Sequence, residues 1–354
     1  MKILLTGGGT AGHVTPHLAL LPYFEEKKCH IEYIGSKTGI EKEIIEKAGL
    51  PYYGISSGKL RRYFSLKNFS DPFRIISGYF EAKKLLRKLR PDVVFSKGGY
   101  VSVPVVFAAH SLKIPVVVHE SDYTPGLANK LCLPKAKKIC FSFESAAKDI
   151  PAEKAVITGS PVRASLLTGS RESGLAKLGF AGNKPVLLVM GGSLGALAVN
   201  EALDQIMDWL LENFDVVHIR GNGKLNAALE GRSGYVQYEY VSDGLEDLFA
   251  AADLMVSRAG SNAIFEILAL ALPNLLIPLP LEASRGDQIL NARYFEKMGF
   301  SDVLMQNDIT PETLKAHIAA LQEHAPAMRN TMKTSTMAGG AKNVAEVVLA
   351  AAEK

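Results

Sequence analysis

Two glycine-rich turns, each following a short apolar run, stand at the heads of the two halves of this 354-residue chain. The first run, Ile3-Leu4-Leu5-Thr6, leads into Gly7-Gly8-Gly9-Thr10-Ala11-Gly12-His13. The second, Val186-Leu187-Leu188-Val189-Met190, leads into Gly191-Gly192-Ser193-Leu194-Gly195-Ala196. Each reads as a strand, a tight turn and the start of a helix. Such turns let backbone N–H groups approach a phosphate or sugar closely, and the helix that follows points the positive end of its dipole at the same spot. One turn per half predicts two α/β domains facing each other with a ligand between them, and the length suits two domains better than one.

The rest of the chain keeps that rhythm. Lys2 to Thr6, Ile31 to Gly35, Tyr52 to Ile55, Asp92 to Ser96, Pro115 to His119 and Lys138 to Phe141 are predicted strands alternating with helical patterns, as in parallel βαβ units. The segment Thr158 to Arg163 has the glycine, proline and polar residues of a hinge. After it, Pro185 to Met190, Asp215 to Arg220, Val236 to Tyr240, Leu254 to Ser257 and Asn274 to Pro278 repeat the pattern. The domains are therefore expected at 1–160 and 161–340, with a C-terminal helix over 341–354 packing back on the first. The longest apolar stretch, Ile264 to Leu281, is interrupted by Glu266, Pro273, Asn274, Pro278 and Pro280, and reads as a buried helix followed by a strand. Met1-Lys2 runs directly into a strand, so no signal peptide is expected. Cys29, Cys132 and Cys140 are odd in number and lack metal or redox spacing, which suits reduced, buried thiols in a cytosolic protein. A net charge of +4 is too small and dispersed to suit a nucleic-acid partner.

Gly7-x-Gly9-x-x-Gly12 also satisfies the dinucleotide fingerprint, with Glu32 about 20 residues further on as a ribose ligand. A run of three glycines meets that pattern easily, and a nicotinamide cofactor leaves the second turn unexplained. A nucleotide sugar accounts for more. Ser257-Arg258-Ala259-Gly260-Ser261-Asn262 precedes a helix containing Glu266, and Asp287-Gln288 opens another helix after a proline-rich strand. A carboxylate such as Glu266 can accept both vicinal hydroxyls of a ribose, an amide such as Gln288 can read sugar hydroxyls, and the Gly260-Ser261 helix start can face a diphosphate. Each has an ordinary structural role open to it as well: Glu266 as a solvated helix residue, Gln288 as a helix N-terminal residue and Ser193 as an N-cap.

The segments Gly7 to Pro16, Lys97 to Ser102, His119 to Asp122, Pro125 to Lys130, Gly159 to Arg163, Gly191 to Ala196 and Arg258 to Ser261 resemble the MurG family of peptidoglycan glycosyltransferases, which add N-acetylglucosamine to lipid I. The resemblance runs through nearly the whole chain in order and spacing. It implies a B-type glycosyltransferase fold, two Rossmann-like domains facing across a cleft, with the donor UDP-N-acetylglucosamine held mainly by the C-terminal one. Carried over by position, it assigns donor contacts to Thr10, Ala11 and Gly12 in the first turn, Arg163 at the hinge and Ser193 in the second turn. It adds Val241 beside the uracil, the helix start Ser261, Asn262, Ala263, Ile264, Phe265 and Glu266 with Glu266 on the ribose, and Gln288 on the sugar. In one departure, this chain has Ser121-Asp122 where the family has an amide pair after His-Glu, placing a carboxylate near the sugar.

The implied reaction is a direct displacement with inversion, in which the C4 hydroxyl of N-acetylmuramic acid attacks the anomeric carbon as UDP departs. Helix N-termini and Arg163 are available to the leaving diphosphate. No carboxylates cluster as a magnesium site would require, so neither metal nor other cofactor is expected. His13, directly after the first turn, is the first candidate for the base, with an imidazole expected to face the cleft and titrate near neutral pH. Its alternative is to cap or pack at a helix start. Asp122 is the second candidate, and His119 reads as a structural residue at a strand end.

Lipid I is membrane-anchored, so the resemblance implies a peripheral protein on the cytoplasmic face of the membrane. Arg61-Arg62-Tyr63-Phe64-Ser65-Leu66-Lys67-Asn68-Phe69, then Phe73-Arg74-Ile75-Ile76, Tyr79-Phe80, Lys83-Lys84 and Arg87-Lys88, mix aromatic and basic residues in a way that suits an anionic lipid surface. On the plainer reading Ile76, Phe80 and Leu86 face the domain core and the lysines form a solvated face. Cell-wall synthesis proteins are open as further partners. The alternatives at this point are another UDP-sugar enzyme of the same architecture, such as a diacylglycerol glycosyltransferase or an epimerase, and a non-catalytic nucleotide-sugar-binding scaffold.

Overall fold

A computed structural model of the chain describes residues 1–58, 67–192, 196–241, 243–283 and 286–353, and for residues 11 and 67–72 describes the backbone alone. The chain divides into two units, Met1–Arg163 with Gly339–Lys354, and Ala164–Ala338.

The first unit is built on β1 (Lys2–Thr6), β2 (His30–Ser36), β3 (Tyr52–Ile55), β4 (Val93–Ser96), β5 (Val116–Glu120), β6 (Lys138–Phe141) and β7 (Ala155–Ile157). They pair in the order β3-β2-β1-β4-β5-β6-β7, and every pairing is parallel. The connections carry α1 (Thr15–Leu18), α2 (Leu21–Glu26), α3 (Ile40–Lys47), α4 (Lys67–Leu89), α5 (Ser102–Ser111) and α6 (Leu127–Cys132). A strand such as Val-Val-Phe-Ser of β4 is buried along its whole length because both faces of the sheet are covered. Ile3, Leu5 and Phe95 point into one core, which Val344 and Val348 of the C-terminal helix (Gly340–Ala352) complete. Leu4, Val94, Val116 and Val118 point into the other, against Val105 and Val106 of α5.

The second unit contains β8 (Val186–Met190), β9 (Asp215–Ile219), β10 (Tyr235–Tyr238), β11 (Leu254–Ser257), β12 (Asn274–Leu276) and β13 (Asp302–Val303), parallel throughout in the order β10-β9-β8-β11-β12-β13. Its helices are α7 (Arg171–Leu178), α8 (Leu197–Gln205), α9 (Met207–Asn213), α10 (Leu245–Ala251), α11 (Ser261–Leu270), α12 (Asp287–Lys297) and α13 (Pro311–Lys333). Local chemistry sets their ends. The Ser170 hydroxyl accepts the Ser173 N–H to open α7, and Gly179 at φ 69° closes it in the left-handed region. Thr310 and Thr313 form a reciprocal capping box ahead of α13, with Pro311 in its first turn.

In both sheets the strand order reverses beside the central strand, between β1 and β4 and between β8 and β11. Ligands of open parallel sheets bind at the carboxyl ends of the strands at such a reversal. The two glycine turns follow β1 and β8, so each unit presents its turn at that point.

Two expectations need correction. Ile76 and Phe80 do not face the core: with Phe73 they are 56%, 64% and 73% exposed, while Gly78, Ala82, Leu86 and Leu89 make the buried stripe of α4. Gly78 belongs to that stripe because a Cβ there would lie 2.0 Å from the Ser56 carbonyl oxygen, so α4 meets the chain after β3 backbone to backbone. The basic and aromatic run Arg61 to Leu66 lies outside the described residues, as do the side chains of Lys67, Asn68 and Phe69. Cys132 and Cys140 are buried, and burial pushes both thiols up to about 12, but Cys29 is only half-buried. No described helix is long and apolar enough to cross a membrane.

Candidate functional site

At the carboxyl edge of the first sheet, the Gly9 N–H of the turn after β1 already has a partner within the protein. Glu41 of α3, fully buried, accepts the Gly9 N–H at 3.2 Å, the Ser36 N–H at 3.0 Å and the Ser36 hydroxyl. The protein's own carboxylate thus occupies the anion position beside the glycine triplet. Nor does a long helix follow: the chain makes a single 3-10 turn, Ala11–His13, and then the four-residue α1. What the glycines permit is close packing of two loops. A Cβ on Gly99, whose φ is +82°, would lie 2.1 Å from the Gly8 carbonyl oxygen, and one on Gly9 would lie 2.5 Å from the Tyr100 ring. The turns after β1 and β4 therefore meet at the reversal of strand order.

Glu32 cannot act as a dinucleotide's ribose ligand. It sits in mid-strand opposite Leu4, with Lys2 Nζ at 3.9 Å, His30 Nε2 at 3.4 Å and the Tyr53 hydroxyl at 3.3 Å, and not at the carboxyl end of β2.

His13 Nδ1 lies 2.9 Å from the Thr10 hydroxyl oxygen, and Thr10 itself is exposed. The expected near-neutral titration of His13 is not found: burial, and then the charge of Lys97, push its pKa down to about 4. The imidazole is consequently neutral at physiological pH. In the tautomer whose Nδ1–H is donated to Thr10, Nε2 carries the acceptor lone pair; in the other, the Thr10 hydroxyl donates to Nδ1. Gly12 stands beside it at the surface of the turn, half-buried.

The chain from β5 contributes an acidic turn. Glu120, buried, accepts the N–H groups of Asp122 at 2.9 Å and Gly126 at 3.2 Å and the Asn129 side-chain amide at 2.8 Å, so one carboxylate shapes the segment that carries half-buried Asp122. Burial, and then the neighbouring Asp122, raise Glu120 to about 7. Lys97, at the end of β4 and 1% exposed, donates from Nζ to the Ser121 hydroxyl at 2.8 Å. His119 is fully buried, with Nε2 donating to the Gly159 carbonyl at 3.0 Å, the structural role expected of it. Lys97, Glu120 and Asn129 escaped assignment in the sequence. The available signal was a charged residue directly after an apolar strand, at Val-Val-Phe-Ser-Lys and Val-Val-Val-His-Glu.

At the carboxyl edge of the second sheet, Gly191 and Gly192 follow β8, with Gly192 at φ +88°. Ser193 lies outside the described residues. After β11, Gly260 stands at the N-cap of α11 without a side-chain cap, followed by buried Ser261 and half-buried Asn262, Ala263 and Glu266. Ile264 and Phe265 are fully buried, Phe265 edge-on to Phe295 at 5.5 Å, and the Ile264 N–H donates to the Gly260 carbonyl at 3.1 Å. Gln288, in the first turn of α12, accepts the Leu279 N–H at 3.1 Å through Oε1, and its Nε2 lies 3.9 Å from where a Gly260 Cβ would stand. Gly260, Ser261 and Gln288 are thus brought to one edge. Arg258, unassigned in the sequence, ties this edge together: Nη1 donates to the Ile277 carbonyl at 3.0 Å and Nη2 to the Gln306 side-chain oxygen at 2.7 Å. Val241 is half-buried beyond β10, and Arg163 is half-buried as the last residue of the first unit's long segment.

Comparison with known proteins agrees with this architecture. Residues 3–141 match the model of the glycosyltransferase family 28 N-terminal domain and residues 186–348 that of the family's C-terminal domain. A Clostridium botulinum protein named "UDP-N-acetylglucosamine--N-acetylmuramyl-(pentapeptide) pyrophosphoryl-undecaprenol N-acetylglucosamine transferase" is 53% identical over 347 residues, covering 98% of each chain. A Lachnospira eligens protein of the same name is 58% identical over 320 residues, 90% of each. Among solved structures, Acinetobacter baumannii MurG superimposes with a TM-score of 0.76 over 99% of both chains at 24% identity, and the calicheamicin glycosyltransferase CalG4 with 0.67 over 99% of this chain and 98% of the other at 16%, which fixes the fold as that of the B-type glycosyltransferases. With both domain models matched in order along one chain, the protein belongs to glycosyltransferase family 28.

Proposed function

We propose that this protein transfers N-acetylglucosamine from UDP-N-acetylglucosamine to the C4 hydroxyl of the N-acetylmuramic acid of lipid I, forming lipid II. The observation that carries this reading is the similarity to proteins named for that transfer, 53% and 58% identical through both domains.

The chemistry divides between the two strand-order reversals. Donor contacts fall to the second unit: the N–H groups opening α11 beside Ser261 to Phe265 toward the diphosphate, Glu266 toward the ribose hydroxyls, Gln288 toward the sugar, Val241 beside the uracil and Ser193 in the turn after β8. Arg163 and the Thr10-Ala11-Gly12 turn are the contacts assigned to the first unit. In the transfer step the acceptor oxygen forms a bond to the anomeric carbon while the bond from that carbon to the diphosphate oxygen breaks, its electron pair leaving with UDP. The acceptor's proton passes to Nε2 of His13. A neutral His13 has the lone pair this needs, and Asp122, held by its N–H to Glu120, is the second acidic group of the same edge.

The exposed face of α4, Phe73, Ile76 and Phe80 with Arg74, Lys84, Arg87 and Lys88, suits contact with an anionic membrane and supports a peripheral position on the face where lipid I is presented.

Incubation with radiolabelled UDP-N-acetylglucosamine and either a lipid I analogue or diacylglycerol tests the reading. Label in the lipid I product alone is expected. Label in a glycosyl-diacylglycerol, or donor binding without transfer to either lipid, would replace it.

A further inference from the structure

An apolar cavity of about 180 Å³ lies beside the paired turns of the first unit. Ile75 of α4, Val103 in the first turn of α5 and Leu127, Ala128 and Leu131 of α6 line it, with Tyr100 from the turn after β4. The Tyr100 ring is the group that a Cβ on Gly9 would meet at 2.5 Å, so the cavity shares a wall with the edge where the turns after β1 and β4 meet. None of the described residues lining it is assigned to the donor or to the base.

The lining is not sealed into the core. Leu127 and Leu131, one turn apart on α6, are 43% and 39% exposed, and Ile75 is half-buried between exposed Arg74 and Ile76. Both α4 and α6 pack against α5. The α4 wall of the cavity therefore runs on along that helix into Phe73, Ile76 and Phe80, its exposed apolar side chains. Single exposed leucines are ordinary, but a hollow with apolar walls that continues into three large exposed side chains marks a place for an apolar ligand.

We propose that this cavity binds the first isoprene unit of the acceptor's polyprenyl chain, the unit joined to the diphosphate. The proposal rests on the acceptor reading given above: the acceptor in the name shared by the two relatives is a pyrophosphoryl-undecaprenol, a polyisoprenoid. An isoprene unit is a branched five-carbon group without polar atoms, and the cavity offers it branched aliphatic side chains and one aromatic ring. Size agrees as well. An apolar cavity of about 150 Å³ takes benzene, a six-carbon molecule, so this one accommodates one isoprene unit and not two. The units beyond it leave along the exposed face of α4. The same walls discriminate against a diacylglycerol, whose ester oxygens would be stripped of water among apolar side chains.

The test uses the full-length protein without membranes and water-soluble acceptors that carry one saccharide diphosphate with a methyl, a five-carbon isoprenyl or a ten-carbon isoprenyl group. Ala128→Phe fills the cavity, and Leu127→Ser with Leu131→Ser makes its wall polar should the first variant misfold; urea midpoints near wild type verify each fold. In wild type, kcat/KM should rise roughly ten-fold from methyl to five-carbon isoprenyl and change little from five carbons to ten. Both variants should lose that rise and keep the methyl acceptor's turnover. By calorimetry, a ten-carbon isoprenyl diphosphate should bind wild type roughly ten-fold more tightly than inorganic diphosphate does, and the variants equally. Folded variants that keep the isoprenyl preference, or a wild type indifferent to the chain in both assays, would overturn the proposal. So would variants that lose only vesicle flotation, since the wall would then serve the membrane and not the acceptor. Transfer to none of the acceptors, with isoprenyl diphosphate binding still lost in the variants, would uphold the cavity and remove the acceptor reading.

Discussion

The carboxylate of Glu41 accepts a hydrogen bond from the backbone N–H of Gly9, 32 residues earlier in the chain, at 3.2 Å. The same side chain takes the N–H and hydroxyl of Ser36, so it locks the first turn to the end of β2. Glu41→Ala should leave Gly9 and Ser36 without their acceptor, at about 1–3 kcal/mol of stability. The acceptor-side rate should fall further than donor affinity, since most of the donor contacts are assigned to the second unit and only those of Thr10, Ala11 and Gly12 adjoin Gly9. Urea unfolding and UDP calorimetry, run beside turnover, would show it. A variant with weakened UDP binding and intact turnover contradicts the assignment.

Gly99→Ala should destabilise the first unit more than a surface substitution would. The added Cβ meets the Gly8 carbonyl oxygen at 2.1 Å, both atoms belong to backbone, and φ is +82°. About 1–3 kcal/mol is expected from the strained dihedral alone, measured as a shift in urea midpoint. Gly192→Ala, also at positive φ but with nothing near its Cβ, should lose less.

On the donor side, Glu266→Ala should weaken UDP affinity roughly 10- to 100-fold by removing charge-assisted hydrogen bonds to the ribose. Deoxyuridine diphosphates should bind the variant and wild type alike. Equal affinity of UDP for both proteins by calorimetry would return Glu266 to the role of a solvated helix residue.

Stability should fall steeply in acid. His17 and His218 are held down to about 3 and His13 to about 4, with His119 well below its ordinary range, burial being the first cause in each. For His218 the second cause is visible in the contacts: Arg220 Nη1, a donor only, lies 3.3 Å from Nδ1, so Nε2–H donates to Asn200. Below about pH 6.5 the unfolded chain takes up protons that the folded one refuses, and each such histidine lowers stability by about 1.4 kcal/mol per pH unit as the pH falls toward its folded value. Glu120, raised to about 7, opposes this between its ordinary 4.5 and 7, gaining stability as the pH falls. The net slope remains acid-destabilising. Urea midpoints at pH 7.5 and 5 should differ accordingly, and His218→Gln should flatten the difference.

Charge reversal at Lys84, Arg87 and Lys88, all exposed on α4, should weaken binding to anionic vesicles severalfold at low salt, and transfer to a water-soluble acceptor should persist. Vesicle flotation reads this directly. Unchanged flotation would remove α4 as the docking surface.

The alternation of strands and helices was legible because parallel strands covered on both faces read as apolar runs, and the predicted strands appear with ends that coincide or differ by at most two residues. β7 and β13 were not legible, being three and two residues long and too short for any period to register. The site was half legible. Glycine turns, the Gly260-Ser261 helix start and Gln288 declare themselves by local sequence. Glu41 does not, because its partners Ser36 and Gly9 converge only once β1, β2 and α3 are folded together. Lys97 and Arg258 look in sequence like surface cations, and only the sheet reveals that both are buried. The low titration of His13 was hidden for the same reason, since its causes, burial and Lys97, lie more than eighty residues apart in part.

Val344 and Val348 of the C-terminal helix fill the same core as Ile3 and Phe95. During synthesis the first unit is therefore begun first and completed last. Its central strands emerge from the ribosome long before the helix that covers them, whereas the uninterrupted 164–338 segment can fold as soon as it is released. Until translation reaches Gly340–Ala352, the part of that sheet face which Val344 and Val348 cover stays open, while Leu20, Phe24 and Ile45 cover the rest. A nascent chain arrested shortly before Gly340 should hold a folded second unit beside an aggregation-prone first one, so the order of assembly runs opposite to the order of the sequence.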